Sequence, residues 1–159
     1  MIGILACVAM GQASNPIQAD PAFQSLKTLV GGKWEGTVEQ GAKTAFTFHL
    51  EQGGNMIVAQ GALNIPGKSP LAMRVSLGWD PDAKQVYYLD QHGFDTVYFG
   101  HVTKQGNELV WDFRGLTGDS GHYRSHETVT QTEYNSTMEA EQNGKWVDLG
   151  FHLHQHRMK

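Results

Sequence analysis

From Lys33 to the end of the chain, apolar side chains recur at every second position, and turn chemistry interrupts them about every 12 residues. A period of two is the mark of strands with one buried face. The spacing predicts ten strands, over residues 33–40, 43–52, 55–65, 71–79, 84–91, 96–104, 107–114, 121–130, 133–141 and 145–157. Gly53-Gly54-Asn55, Pro66-Gly67, Asp80-Pro81-Asp82, Gly106-Asn107 and Asn143-Gly144 supply turns between many of them. No gap is long enough for the crossover helix that parallel neighbours require. The chain therefore reads as all-β, an up-and-down antiparallel meander that most simply closes into a single barrel of about ten strands. A two-sheet sandwich is the alternative, and it usually needs longer crossing connections.

Ahead of the strands the pattern changes. Asp20-Pro21 pairs an N-cap residue with a first-turn proline, and Phe23, Leu26, Leu29 and Val30 follow at helical spacing until Gly31-Gly32. One short N-terminal helix is expected. Residues 14–21, SNPIQADP, read as a linker, and the opening MIGILACVAM resembles the apolar part of a secretory signal, with Gly11 and Ala13 as small residues before a cut. The basic leader that should precede it is missing. Ile4-Leu5-Ala6-Cys7 also loosely resembles a lipoprotein box with too few residues upstream, and a start codon assigned too late would explain both defects. The expected organisation is an apolar leader and linker over residues 1–19 and one barrel domain over 20–159. The expected location is outside the cytoplasm, periplasmic or secreted, unless the N-terminus is not a signal.

Composition narrows the function classes. The formal charge is -4, and the 12 Lys and Arg are scattered, so the basic stripe that nucleic acid requires is missing. Cys7 is the only cysteine, which rules out an intrachain disulfide and thiolate-rich zinc sites. No stretch approaches the ~20 apolar residues of a transmembrane helix.

The stretch Leu29-Val30-Gly31-Gly32-Lys33-Trp34-Glu35-Gly36 resembles the opening of the calycin barrels, the lipocalins and their relatives. That resemblance implies a Gly-x-Trp at the start of the first strand, here Gly32, Lys33 and Trp34. It also implies a basic residue near the chain's end packed across the indole, a role for which Arg157 is placed. Within the superfamily, the chain is most similar to an uncharacterised, mostly bacterial and often exported lipocalin-like family. The likeness lies in Gly78-Trp79-Asp80-Pro81, Lys84, Tyr87, Asp90, Gly100, Gly106 and the terminal Arg, and spans about residues 22 to 159. The family has no agreed activity, so the resemblance speaks to fold far more than to function.

Barrel strands alternate inward and outward side chains, so one anchored residue orients a whole strand. If Arg157 reaches inward to Trp34, then Val147, Leu149, Phe151, Leu153 and Gln155 share the inner face, and His152, His154 and His156 point out. Phe46, Phe48 and Leu50 in the second strand, and Leu71, Met73, Val75, Leu77 and Trp79 in the fourth, are similarly one-sided. The eighth strand is ambiguous: His122, Arg124, His126 and Thr128 oppose Tyr123, Ser125, Glu127 and Val129, and neither set is apolar. The expected function is a binding module whose lumen holds a small hydrophobic or amphipathic molecule. Tyr87, Tyr98, Trp111 and Tyr123, with polar Arg124 and His126, are the candidate ligand contacts; core filling is the plainer role for each of them.

Three other chemistries compete with this reading. Same-face strand neighbours lie ~6.5–7 Å apart, so His152, His154 and His156 with a third ligand from the neighbouring strand, such as Glu139 or Glu141, could surround zinc. The outward parity favours a solvated histidine face, and no metal site is expected. A haem alternative comes from a likeness to the nitrobindins, which also open Gly-x-Trp-x-Gly, matched by Gly32, Trp34 and Gly36, and ligate haem from a final-strand histidine. It would require His152 inside the lumen. A barrel enzyme, an isomerase or hydrolase around Arg124 and His126, is the remaining alternative. Ser125 and His126 are adjacent in a strand and cannot partner each other, and no nucleotide fingerprint is present.

Overall fold

All ten expected strands form, and they close on themselves. The structure is a computed structural model that describes residues 15–159; the apolar leader and its possible cut site, residues 1–14, lie outside the described residues. The strands are β1 (Lys33–Val38), β2 (Lys43–Glu51), β3 (Met56–Asn64), β4 (Leu71–Asp80) and β5 (Gln85–His92), then β6 (Thr96–Gln105), β7 (Glu108–Thr117), β8 (His122–Val129), β9 (Glu133–Gln142) and β10 (Lys145–Arg157). Each pairs antiparallel with the next, and β10 returns to β1, so the barrel has no free edge. The seventh strand runs three residues past its expected end, carried through Thr117 by pairing with β6.

One end of the barrel is plugged. A helical turn α1 (Pro16–Ala19), a helix α2 (Pro21–Leu26) and a 3-10 turn (Lys27–Leu29) lie across it, and Phe23, Leu26 and Leu29 belong to the barrel's core. The Asp20 carboxylate caps α2, accepting from the Ala22 and Phe23 backbone N–H groups at 2.8 and 2.9 Å. The segment read from sequence as a linker is therefore structured from Asn15 onward, where the Asn15 side chain caps α1. The physical reason is Ile17, 1% exposed within the same core. Ile17→Ala is expected to cost about 2–4 kcal/mol in urea unfolding; a loss below ~0.5 kcal/mol would restore the linker reading.

Arg157 and Trp34 set the register. Trp34 pairs with Arg157 across β1 and β10, and the guanidinium carbon stands 4.8 Å from the indole centroid. Gln155 and Leu153 then face inward, and His152, His154 and His156 are exposed outside. In the middle of β10, Leu149 and Gly150 form a two-residue bulge between Asp148 and Phe151, with Gly150 at φ 64°. Because the insertion is even, it preserves the alternation on either side.

The motif around Gly78 serves the β4–β5 hairpin. Asp80 accepts from the Asp82 and Ala83 N–H groups and pairs through its other oxygen with His101 at 2.8 Å. Lys84 takes the left-handed position of that turn, at φ 55°. Gly78 leaves room for the Tyr87 ring, whose Cε1 would lie 2.5 Å from a Cβ placed there. Gly78, Asp80, Lys84 and Tyr87 thus serve the hairpin.

Candidate functional site: the barrel lumen

Burial grades along the barrel. Near the helical plug, Trp34, Ile57, Leu77 and Val86 are fully enclosed, whereas at the opposite end Val147 is 41% exposed. Between these ends lies a cavity of about 310 Å³, at the small end of the ~300–1,000 Å³ typical of small-molecule sites. Leu29 of the plug forms part of its floor. Apolar side chains of β3 and β4, including Val75 and Leu77, line one wall beside Phe46 and Phe48 of β2.

The facing wall is aromatic. The Tyr88 ring meets Trp111 and Phe113 edge-on at 4.8 and 5.2 Å between centroids, Tyr98 meets Phe113 at 5.8 Å, and Phe113 stacks on Tyr123 at 5.6 Å. At the mouth, the Tyr98 and Tyr123 hydroxyls both donate to Asp119 Oδ2, at 3.1 and 2.6 Å. Those bonds hold the carboxyl of Asp119 below its usual range and, together with burial, push Tyr98 well up and Tyr123 to about 12. Two lumen tyrosines are thereby fixed as donors that stay neutral.

Two acids sit in the lumen. Glu127, 6% exposed, accepts from the Tyr134 hydroxyl at 2.7 Å and from Ser125 and Ser136 at 3.1 and 3.3 Å. Burial pushes its carboxyl up to about 8, against the opposing pull of these donors. Asp90, 2% exposed, accepts at Oδ2 from the Tyr88 hydroxyl at 2.5 Å and from His92 Nε2 at 2.6 Å. Its Oδ1 is buried and has no partner; neither does Gln155 Oε1. Buried polar atoms without partners are uncommon and costly. Here two of them belong to residues that line one cavity.

Of the six candidate ligand contacts, the structure places Tyr98, Trp111 and Tyr123 on the cavity wall. The other three lie outside the barrel. Tyr87 covers Gly78 and reaches Met56 Sδ at 3.5 Å. Arg124 lies 4.0 Å over the Trp146 ring and near Asp112 on the outer surface, and His126 is flanked by Glu108 and Glu139. The expectation of Arg124 and His126 as lumen groups is corrected by the β7–β8 pairing, in which Phe113 faces Tyr123, Trp111 faces Ser125 and Leu109 faces Glu127. That registration turns the even-numbered residues of β8 outward, so Arg124 and His126 stand on the outer surface of the barrel and not in its lumen.

On β10, His152 contacts Glu39 at 3.0 Å and Asp148 at 3.6 Å on the outer surface, so it is not placed as a lumen ligand for haem. His154 Nδ1 meets Asn135 at 2.5 Å. Among the described residues, no group of three or more His, Cys, Asp or Glu is arranged to hold a metal ion, and no helix is long and apolar enough to cross a membrane. Asp90, His92 and Glu127, with the aromatic residues Tyr88, Phe113 and Tyr134, are lumen residues that were not among the sequence candidates. Compared with known proteins, the chain matches no family model and no curated protein.

Proposed function

We propose that this protein is a calycin-like binding module that carries one small amphipathic molecule in its lumen. The observation that carries the reading is the conjunction of an aromatic-walled cavity with two buried, unpartnered polar atoms on its lining residues, Asp90 Oδ1 and Gln155 Oε1. Such atoms are costly in an empty core and favourable once a ligand pairs with them. The closed ten-strand antiparallel barrel is compatible with a calycin-like fold; membership of the exported lipocalin-like family is the finer reading, supported by the motif residues named above. Export is proposed on the same basis, from the apolar composition of residues 1–10.

The neutral fluorophore N-phenyl-1-naphthylamine tests lumen binding. Saturable one-to-one enhancement is expected for the wild-type protein. Val75→Trp, which fills the cavity from the β4 wall, should weaken binding at least tenfold. No saturable signal, or a signal that Val75→Trp leaves unchanged, would overturn the reading.

A further inference from the structure

We infer that the ligand carries a protonated amine, seated on Asp90 Oδ1 with its apolar body against the aromatic wall. The inference rests on the lumen-binding reading and names the chemistry of that site. Its first support is the charge of the wall. Among the described residues lining the cavity there are two carboxylates and one imidazole, but no Lys and no Arg. A carboxylate ligand would enter a poorly hydrated space with no Lys or Arg to neutralise it, where the one imidazole, His92, is already held by Asp90.

The second support is the geometry at Asp90. Tyr88 and His92 both contact Oδ2, which leaves Oδ1, buried and unpartnered, as the carboxylate oxygen among the cavity-lining residues that still needs a donor. Glu127 differs: its oxygens already accept from Tyr134, Ser125 and Ser136, and with its carboxyl pushed up to about 8 it is largely neutral at pH 7. Asp90 is thus the acceptor with unused capacity. An ammonium group suits it because a charge-assisted N–H···O bond is about twice as strong as a neutral one. Tyr88, hydrogen-bonded to Asp90, packs edge-on against Trp111 and Phe113, so the acid is tied directly to the aromatic wall.

Isothermal titration of the full chain at pH 7 with three ligands of one shape, 2-phenylethylamine, 2-phenylethanol and 3-phenylpropionate, tests the inference. The amine is expected to bind at least tenfold more tightly than the alcohol, and the carboxylate most weakly. Asp90→Asn should remove that preference, lowering amine affinity at least tenfold while leaving the alcohol within about threefold. The ligand ranking is measured on the wild-type protein and stands even if Asp90→Asn fails to fold. Alcohol or carboxylate binding as tight as the amine overturns the inference while lumen binding survives. Binding of none of the three, with N-phenyl-1-naphthylamine still held, overturns the amine alone; failure of all four overturns both readings.

Discussion

Glu127→Gln is expected to make this protein more stable than wild type at pH 9, by a few kcal/mol, while changing it little at pH 5. Glu127 is enclosed in the barrel and its carboxyl is pushed from 4.5 up to about 8 by burial. In the unfolded chain it loses its proton near its ordinary value, so between about pH 4.5 and 8 the folded state binds more protons than the unfolded state. Stability from this group is therefore fully present below pH 4.5, falls as pH rises through that window and stays low above it. At roughly 1.4 kcal/mol per pKa unit, the swing reaches several kcal/mol at most and is reduced by local relaxation. Glutamine keeps an acceptor for Tyr134 and carries no charge to desolvate. Urea unfolding of both proteins at pH 5, 7 and 9 measures it, and the difference between them removes the slopes contributed by the histidines. A difference that stays constant from pH 5 to 9 rules out a buried, proton-holding Glu127.

That same residue shows where the sequence was legible and where it was not. Strands such as β4, with Leu71, Met73, Val75, Leu77 and Trp79 on one face, announce their orientation because only one face is apolar. In β8, the inner set Tyr123, Ser125 and Glu127 is as polar as the outer set His122, Arg124 and His126, so hydrophobic patterning has nothing to sort. The β5 strand fails for the same reason: its inner set contains Tyr88, Asp90 and His92, and its outer set contains Tyr87 and Leu89. Lumen chemistry erases the contrast on which the reading depends. A usable signal lay in the neighbours. With the inner face of β4 already known, the register through the Asp80–Lys84 turn puts Val75 opposite Asp90 and Leu77 opposite Tyr88, which would have brought the buried aspartate inside. Of the plug, whose helix α2 was expected, only the first turn was missed: Ile17 stands among Asn, Pro, Gln, Ala and Asp, too short a run for helical periodicity to emerge. Turns and strand count were legible throughout, since Gly, Pro, Asn and Asp report local backbone geometry whatever the lumen holds.

Trp34→Ala is expected to cost about 3–5 kcal/mol, the range for removing a buried aromatic, and Arg157→Lys should lose most of what Arg157→Ala loses. The indole is fully buried, packs edge-on against Tyr134 at 6.5 Å and donates from Nε1 to the Leu29 carbonyl at 2.8 Å. It thereby ties the 3-10 turn of the plug to the first strand. Above it, Arg157 donates through Nε to the Gln131 carbonyl at 2.9 Å, through Nη1 to Val30 and through Nη2 to Thr28. One guanidinium thus joins the end of β10, the β8–β9 turn and the plug. Lysine keeps the charge but presents a single nitrogen, which cannot reach three carbonyls in that fork. The surrounding glycines exist to make room: a Cβ on Gly32 would meet Arg157 Nη1 at 2.9 Å, and one on Gly36 would meet the His154 carbonyl oxygen at 1.9 Å. Gly-x-Trp-x-Gly is therefore the footprint of a clamp between chain ends. A double-mutant cycle of Trp34→Phe with Arg157→Lys, read by urea unfolding, should show coupling of roughly 0.5–2 kcal/mol. Additive single-mutant losses would mean that the carbonyl bonds alone, and not the stacked ring, hold Arg157 in place.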